Sequence, residues 1–94
     1  MTRKHGKRDR NHAPIKQDLI DAGASVCDLA DLGEGRPDIL VGWQGRTFGP
    51  YEIKMPGGEL SPDETRWWND WRGGGKIVYC ADDVLRDIGA VAVQ

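Results

Sequence analysis

The sequence predicts an α/β domain: a small mixed β-sheet flanked by helices, in the order α-β-β-β-α-β-α. Helical spacing with recognisable start and stop residues occurs at both ends and in the middle of the chain. Two short apolar runs, "PDILVGW" and "TFGPYEIKM", are joined by turn residues, as in a hairpin. A strongly capped helix separates that hairpin from a further apolar run, "KIVYCA", which suits a helical crossover and a mixed sheet.

"HAPIKQDLIDAG" reads as the first helix. Pro14 is tolerated in a first turn, where backbone N–H groups are unpaired anyway. Ile15, Leu19 and Ala22 share a face at helical spacing, and Gly23 is a natural stop. "ASVCDLADL" reads as a strand that frays into a loop at Gly33-Glu34-Gly35. In "PDILVGW", Ile39, Leu40 and Val41 are apolar without alternation, which predicts a central strand covered on both faces. Gln44-Gly45-Arg46 is expected to turn the chain back antiparallel. Pro50 has no N–H for a ladder, so irregular pairing is expected there and regular pairing from Tyr51 to Met55.

After the loop "MPGGEL" comes "SPDETRWWNDWRGGG". Ser61 suits the N-cap, Pro62 the first helical position, and Glu64 the reciprocal partner of a capping box. Trp67 and Trp71 fall on one face, and Gly73 to Gly75 end the helix. "KIVYCA" is the fourth strand and "DDVLRDIG" a short last helix.

The chain has 94 residues, enough for one small domain with a modest core. A charged fraction of 30% and a mean hydropathy of -0.59 suit a soluble globular domain, expected in the cytoplasm of a bacterium or a phage-infected host cell. No apolar run approaches bilayer length, and no apolar stretch follows the basic amino terminus as a secretory signal requires. Cys27 and Cys80 are too few for a disulfide scaffold and are expected to be small buried hydrophobes in a reducing compartment.

Formal net charge is -2, unevenly spread. Residues 1–10 hold Arg3, Lys4, Lys7, Arg8 and Arg10 against Asp9, and form a basic, flexible arm on a domain spanning 11–94. Such an arm suits phosphate contacts or simple solvation. If all its basic residues met duplex phosphates, log K would fall against log salt with a slope of roughly -4 to -5.

The hairpin carries the chemistry. Alternation puts Glu52 and Lys54 on one face of the third strand and Ile53 on the other. Asp38 begins the preceding strand, so a hairpin brings it to Glu52. Two carboxylates about 4 Å apart repel by roughly 4 kcal/mol at an effective dielectric of 20, which a divalent cation offsets. Hard oxygen donors suit Mg²⁺ or Mn²⁺. The carbonyl of Ile53 lies between the two charged side chains as a further donor. Lys54 is placed to orient a water or to stabilise charge on a phosphate.

Gly35-Arg36-Pro37-Asp38, then Glu52-Ile53-Lys54, then Leu60-Ser61-Pro62, resemble the PD-(D/E)XK nuclease superfamily, and within it the compact VRR-NUC branch, the virus-type replication-repair nucleases. The opening helix followed by Gly23-Ala24 and the strand-then-helix ending fit the same pattern, which covers about Asp9 to Gly89. The resemblance implies a restriction-endonuclease-like fold and a Mg²⁺- or Mn²⁺-dependent endonuclease acting on DNA, including branched or otherwise structured DNA in phage replication or repair. It implies Asp38, Glu52 and Lys54 as catalytic residues, with Asp38, Glu52 and the Ile53 carbonyl as metal ligands, and no organic cofactor or membrane.

Two positions depart from the family. Where a glutamine often stands early in the helix after the hairpin, this chain has Glu64, which suits either a cap or contact with the site. The acidic first-helix residue that often completes the metal shell is replaced by Asp9 or Asn11 as candidates, with Gln17 behind them. Lys7, Arg8, Arg10 and Arg36 are the candidate nucleic-acid contacts, and Arg66, Arg72 and Lys76 are expected to be solvated. His5 and His12 are expected on the surface near the arm. Trp43, Trp67, Trp68 and Trp71 are expected in a core or an interface. Since Trp67 and Trp68 are adjacent, one is left for a partner chain, and a homodimer is expected. The alternative is a nuclease-like module that binds nucleic acid or a partner protein without cutting.

Overall fold

The computed structural model describes residues 10–90. It is a small α/β protein with a four-stranded mixed sheet and three helices. In chain order the elements are α1 (His12–Asp21), β1 (Ser25–Asp28), a 3-10 turn (Ala30–Leu32), β2 (Ile39–Trp43), β3 (Arg46–Ile53), α2 (Pro62–Asp70), β4 (Lys76–Val78) and α3 (Ala81–Ile88). The strands lie side by side as β1-β2-β3-β4. β1 and β3 run antiparallel to β2, and β4 joins β3 in parallel after the α2 crossover.

The β2–β3 turn is tighter than expected. Trp43 pairs with Arg46, leaving Gln44 and Gly45 as a two-residue turn, both with positive φ of 50° and 78°. That backbone matches the right-handed strand twist and strongly favours glycine at its second position. The expected irregularity at Pro50 is present as a register shift between Ile39 and Val41, which pair with Tyr51 and Phe48. Its result is that Ile39, Tyr51 and Ile53 enter the core, while Asp38 and Glu52 alternate to the other side.

The core joins Ile15 and Leu19 of α1, Ile39, Val41, Tyr51, Ile53 and Val78 of the sheet, and Val84, Leu85 and Ile88 of α3. Helices α1 and α3 pack together over one sheet face. The opposite face is only partly covered, with Leu40 half-buried, so β2 is central in order but not sealed on both sides. The apolar Ile39-Leu40-Val41 run overstated its burial, because α2 contributes no buried residue. Cys27 and Cys80 are free and exposed, not buried as expected: Cys27 lies on the edge strand β1, and Cys80 stands at the N-cap of α3. Ala22 is exposed at the C-cap of α1, and His12 takes its place on the buried face. Among the described residues no helix is long and apolar enough to cross a membrane.

The tryptophans of α2 lie outside the core. Trp67 stacks on Trp71 with ring centroids 4.8 Å apart, and Trp68 meets Trp67 edge-on at 5.1 Å. Trp71 is 42% exposed, although its Nε1 donates to Gly74 O at 2.7 Å. Trp43 is half-buried against the main core.

Candidate active site

Asp38 stands just before β2 and is fixed by backbone bonds on both sides. Its N–H donates to Tyr51 O at 2.9 Å, and its carbonyl accepts from Leu29 N at 2.7 Å. Its Oδ2 accepts from the Ile53 amide at 2.7 Å. Glu52, only 2% exposed, projects from the same side of β3, and the two carboxyl groups are in hydrogen-bonding contact.

Holding these acids together is within the means of the core. Fully burying Ile39, Val41 and Ile53 stabilises by about 1.5–3 kcal/mol each. Two ionised carboxylates about 4 Å apart would repel by roughly 4 kcal/mol at an effective dielectric of 20. Protonation relieves that repulsion. Burial first, then the charges of Asp38 and Glu64, push the Glu52 carboxyl up to about 9. Burial also works to raise Asp38, but His12, the Ile53 amide and Glu52 outweigh it and hold Asp38 below the usual carboxylate range. At neutral pH the pair therefore keeps one proton between its two carboxyl groups.

Lys54 follows β3 directly, with its N–H still bonded to Val78 O at 3.0 Å. Its Nζ lies 2.8 Å from Glu64 Oε1. Glu64 also forms the expected capping box: Ser61 Oγ accepts from Glu64 N at 3.1 Å, and Glu64 Oε1 accepts from Ser61 N at 2.8 Å. The helix cap and the contact with the site are thus made by one carboxylate. Gly35 lets α2 approach this closely. A Cβ there would stand 2.3 Å from Asp63 O, and its φ is +79°.

Asn11 has a structural task. Its Nδ2 donates to Lys54 O at 3.0 Å and to Tyr79 O at 3.1 Å, tying the start of α1 to the ends of β3 and β4. His12 lies beside it, not on the surface as expected. It is 3% exposed, and Nε2 is 3.5 Å from Asp38 Oδ1. The sequence held a signal for this: His12, Ile15 and Leu19 follow one helical stripe, and all three are buried.

Asn11 Oδ1, both ring nitrogens of His12 and Glu52 Oε1 are buried without a hydrogen-bond partner. With Trp68 Nε1 they make up every such side-chain atom among the described residues. Unpaired buried polar groups are costly and call for an explanation such as a bound ion or water. No ready-made group of three His, Cys, Asp or Glu side chains is arranged around a cation position among the described residues. The donor chemistry nevertheless fits a divalent ion: two carboxyl groups in contact, one with an unpartnered oxygen.

The remaining predicted contacts are scattered. Arg36 is exposed and pairs with Glu34 at 3.1 Å, and Arg10 is exposed at the start of the described chain. Arg66 pairs with Asp63, and Lys76 Nζ lies 3.0 Å from Asp87 Oδ1. His5, Lys7, Arg8 and Asp9 lie outside the described residues. Comparison with protein-family models, curated proteins and solved structures gave no match.

Proposed function

We propose that this chain is a Mg²⁺- or Mn²⁺-dependent endodeoxyribonuclease of the PD-(D/E)XK type, built on a restriction-endonuclease-like fold and acting on DNA, including branched or otherwise structured DNA. The observation that carries the reading is the contact between Asp38 and Glu52 where β2 meets β3, with Glu52 buried, one of its oxygens unpartnered, and Lys54 two residues further along the chain. An ordinary solvent-facing strand has no reason to bury an acid against another acid.

Asp38 and Glu52 would hold the cation, with the Ile53 carbonyl as a further donor. Bound there, Mg²⁺ or Mn²⁺ supplies Lewis acidity toward a phosphodiester and its attacking water. The Ile53 amide orients Asp38 so that Oδ1 remains for other work. Glu64 orients the Lys54 ammonium, which is then placed to steady a water or the charge growing on a phosphate. A homodimer would supply two such sites for cutting both strands, and the tryptophans of α2 are the surface offered for it.

The test is incubation of purified protein with plasmid and branched oligonucleotides in Mg²⁺, Mn²⁺ or EDTA. Nicking that needs the metal and is lost in Glu52→Gln and Lys54→Ala supports the reading. Metal-independent cutting, or Glu52→Gln cutting at the wild-type rate, sinks it. Salt-sensitive DNA binding without any cutting would point to a nuclease-like binding module instead.

A further inference from the structure

Four unpartnered buried atoms crowd one corner of the molecule, and two of them belong to a single imidazole. His12 is 3% exposed at the first residue of α1, with neither ring nitrogen in a hydrogen bond. Its Nε2 faces Asp38 Oδ1 at 3.5 Å, too long for a well-formed hydrogen bond. Two donors that share one cation at roughly 2.1 Å each stand about 3–4 Å apart, and this pair falls in that range. Asp38 Oδ2 is already taken by the Ile53 amide, so Oδ1 is the oxygen left facing the imidazole.

Both bonds of Asn11 Nδ2 go to carbonyl oxygens, which joins α1 to β3 and β4 and fixes the amide with only Oδ1 to spare. No ion pair or hydrogen bond links that oxygen to Asp38 or Glu52. His12 is next in sequence, on the same helix turn, and touches the acid itself.

We propose that His12 is the first-helix ligand of the cation site, joining Asp38 and Glu52, and that its imidazole shifts the site's preference from Mg²⁺ toward Mn²⁺. The inference rests on the metal-site reading above. Mg²⁺ favours all-oxygen shells, whereas imidazole nitrogen suits transition-metal ions. The mixed set of two carboxyl groups and one imidazole therefore discriminates between the two ions where an acidic residue on α1 would not.

The experiment is titration calorimetry with Mn²⁺ and with Mg²⁺ on wild type, His12→Gln and Glu52→Gln, with pulsed electron paramagnetic resonance of bound Mn²⁺. Wild type should bind Mn²⁺ more tightly than Mg²⁺. His12→Gln should lose about ten-fold or more in Mn²⁺ affinity and much less for Mg²⁺. The Mn²⁺ spectrum of wild type should show a directly bound nitrogen that shifts on heavy-isotope labelling of histidine. That signal should persist in His5→Gln, the chain having two histidines. The spectrum needs no His12 variant, so a folding defect in His12→Gln leaves the idea exposed to refutation. A wild-type Mn²⁺ spectrum without a histidine nitrogen, or equal losses for both ions in His12→Gln, overturns the role of His12. If Glu52→Gln still abolishes binding in that case, the metal-site reading survives. Wild type that binds neither ion overturns both.

Discussion

Lys54 Nζ and Glu64 Oε1 lie 2.8 Å apart, so the acid that closes the N-terminus of α2 also holds the lysine at the end of β3. Both side chains are mostly shielded from solvent, and the pair fixes where α2 begins relative to the sheet. The two roles of Glu64 can be separated by mutation. Ser61→Ala removes one half of the capping box and leaves the ion pair; it should cost about 1 kcal/mol in urea denaturation and leave DNA cutting near wild type. Glu64→Ala removes both and should cost about 1–2 kcal/mol, with slower cutting. Equal stability and equal activity in the two variants would show that the contact with Lys54 contributes nothing.

The Asp38–Glu52 pair predicts an unusual pH dependence for the metal-free protein. Glu52 is raised from 4.5 to about 9 on folding. Between those values the folded state holds a proton that the unfolded chain has released, so stability falls as pH rises across that window. Asp38, held low, acts in the opposite sense and adds stability that is lost only in acid, as pH falls below its ordinary value of 3.8. Thermal melts in EDTA should therefore show a melting temperature that declines from about pH 5 to pH 9, and Glu52→Gln should flatten that decline. A wild-type profile with no downward slope in this range would contradict the shared proton.

Gly35 sets how closely α2 approaches the loop before β2. Gly35→Ala places a methyl group against the Asp63 carbonyl and forces a left-handed backbone on a residue with a Cβ. The backbone term alone costs about 1–2 kcal/mol. Denaturation should report at least that loss, and cutting should slow because Glu64 no longer reaches Lys54. A fully stable Gly35→Ala would mean that α2 moves away freely and that its position is not tied to the site.

The stacked Trp67–Trp71 pair on a helix with no buried residue predicts self-association. Light scattering at micromolar concentration should give a dimer, and Trp71→Glu should give a monomer. A wild-type monomer under those conditions would rule out the dimer and leave the aromatic cluster as local packing around the Gly73–Gly75 turn.

Local rules in the sequence determined much of this protein. The capping box at Ser61 and Glu64, the Pro62 start, the hairpin between β2 and β3 and the disturbance near Pro50 each depend on residues a few positions apart. Alternation along Tyr51-Glu52-Ile53 was enough to send Ile53 to the core, because strand geometry has a fixed period of two, while the hairpin and its register shift set Glu52 against Asp38. Other features were decided only by tertiary structure. Apolarity in Leu40 could not reveal that one sheet face is left partly open, since that depends on where α2 settles, and the cysteines could not reveal an edge strand or a helix cap. The burial of His12 depends on the start of α1 lying against Asp38 and packing with α3 and β1, contacts between segments distant in sequence. Its stripe with Ile15 and Leu19 could point it inward, but only the packed fold could set its ring against Asp38.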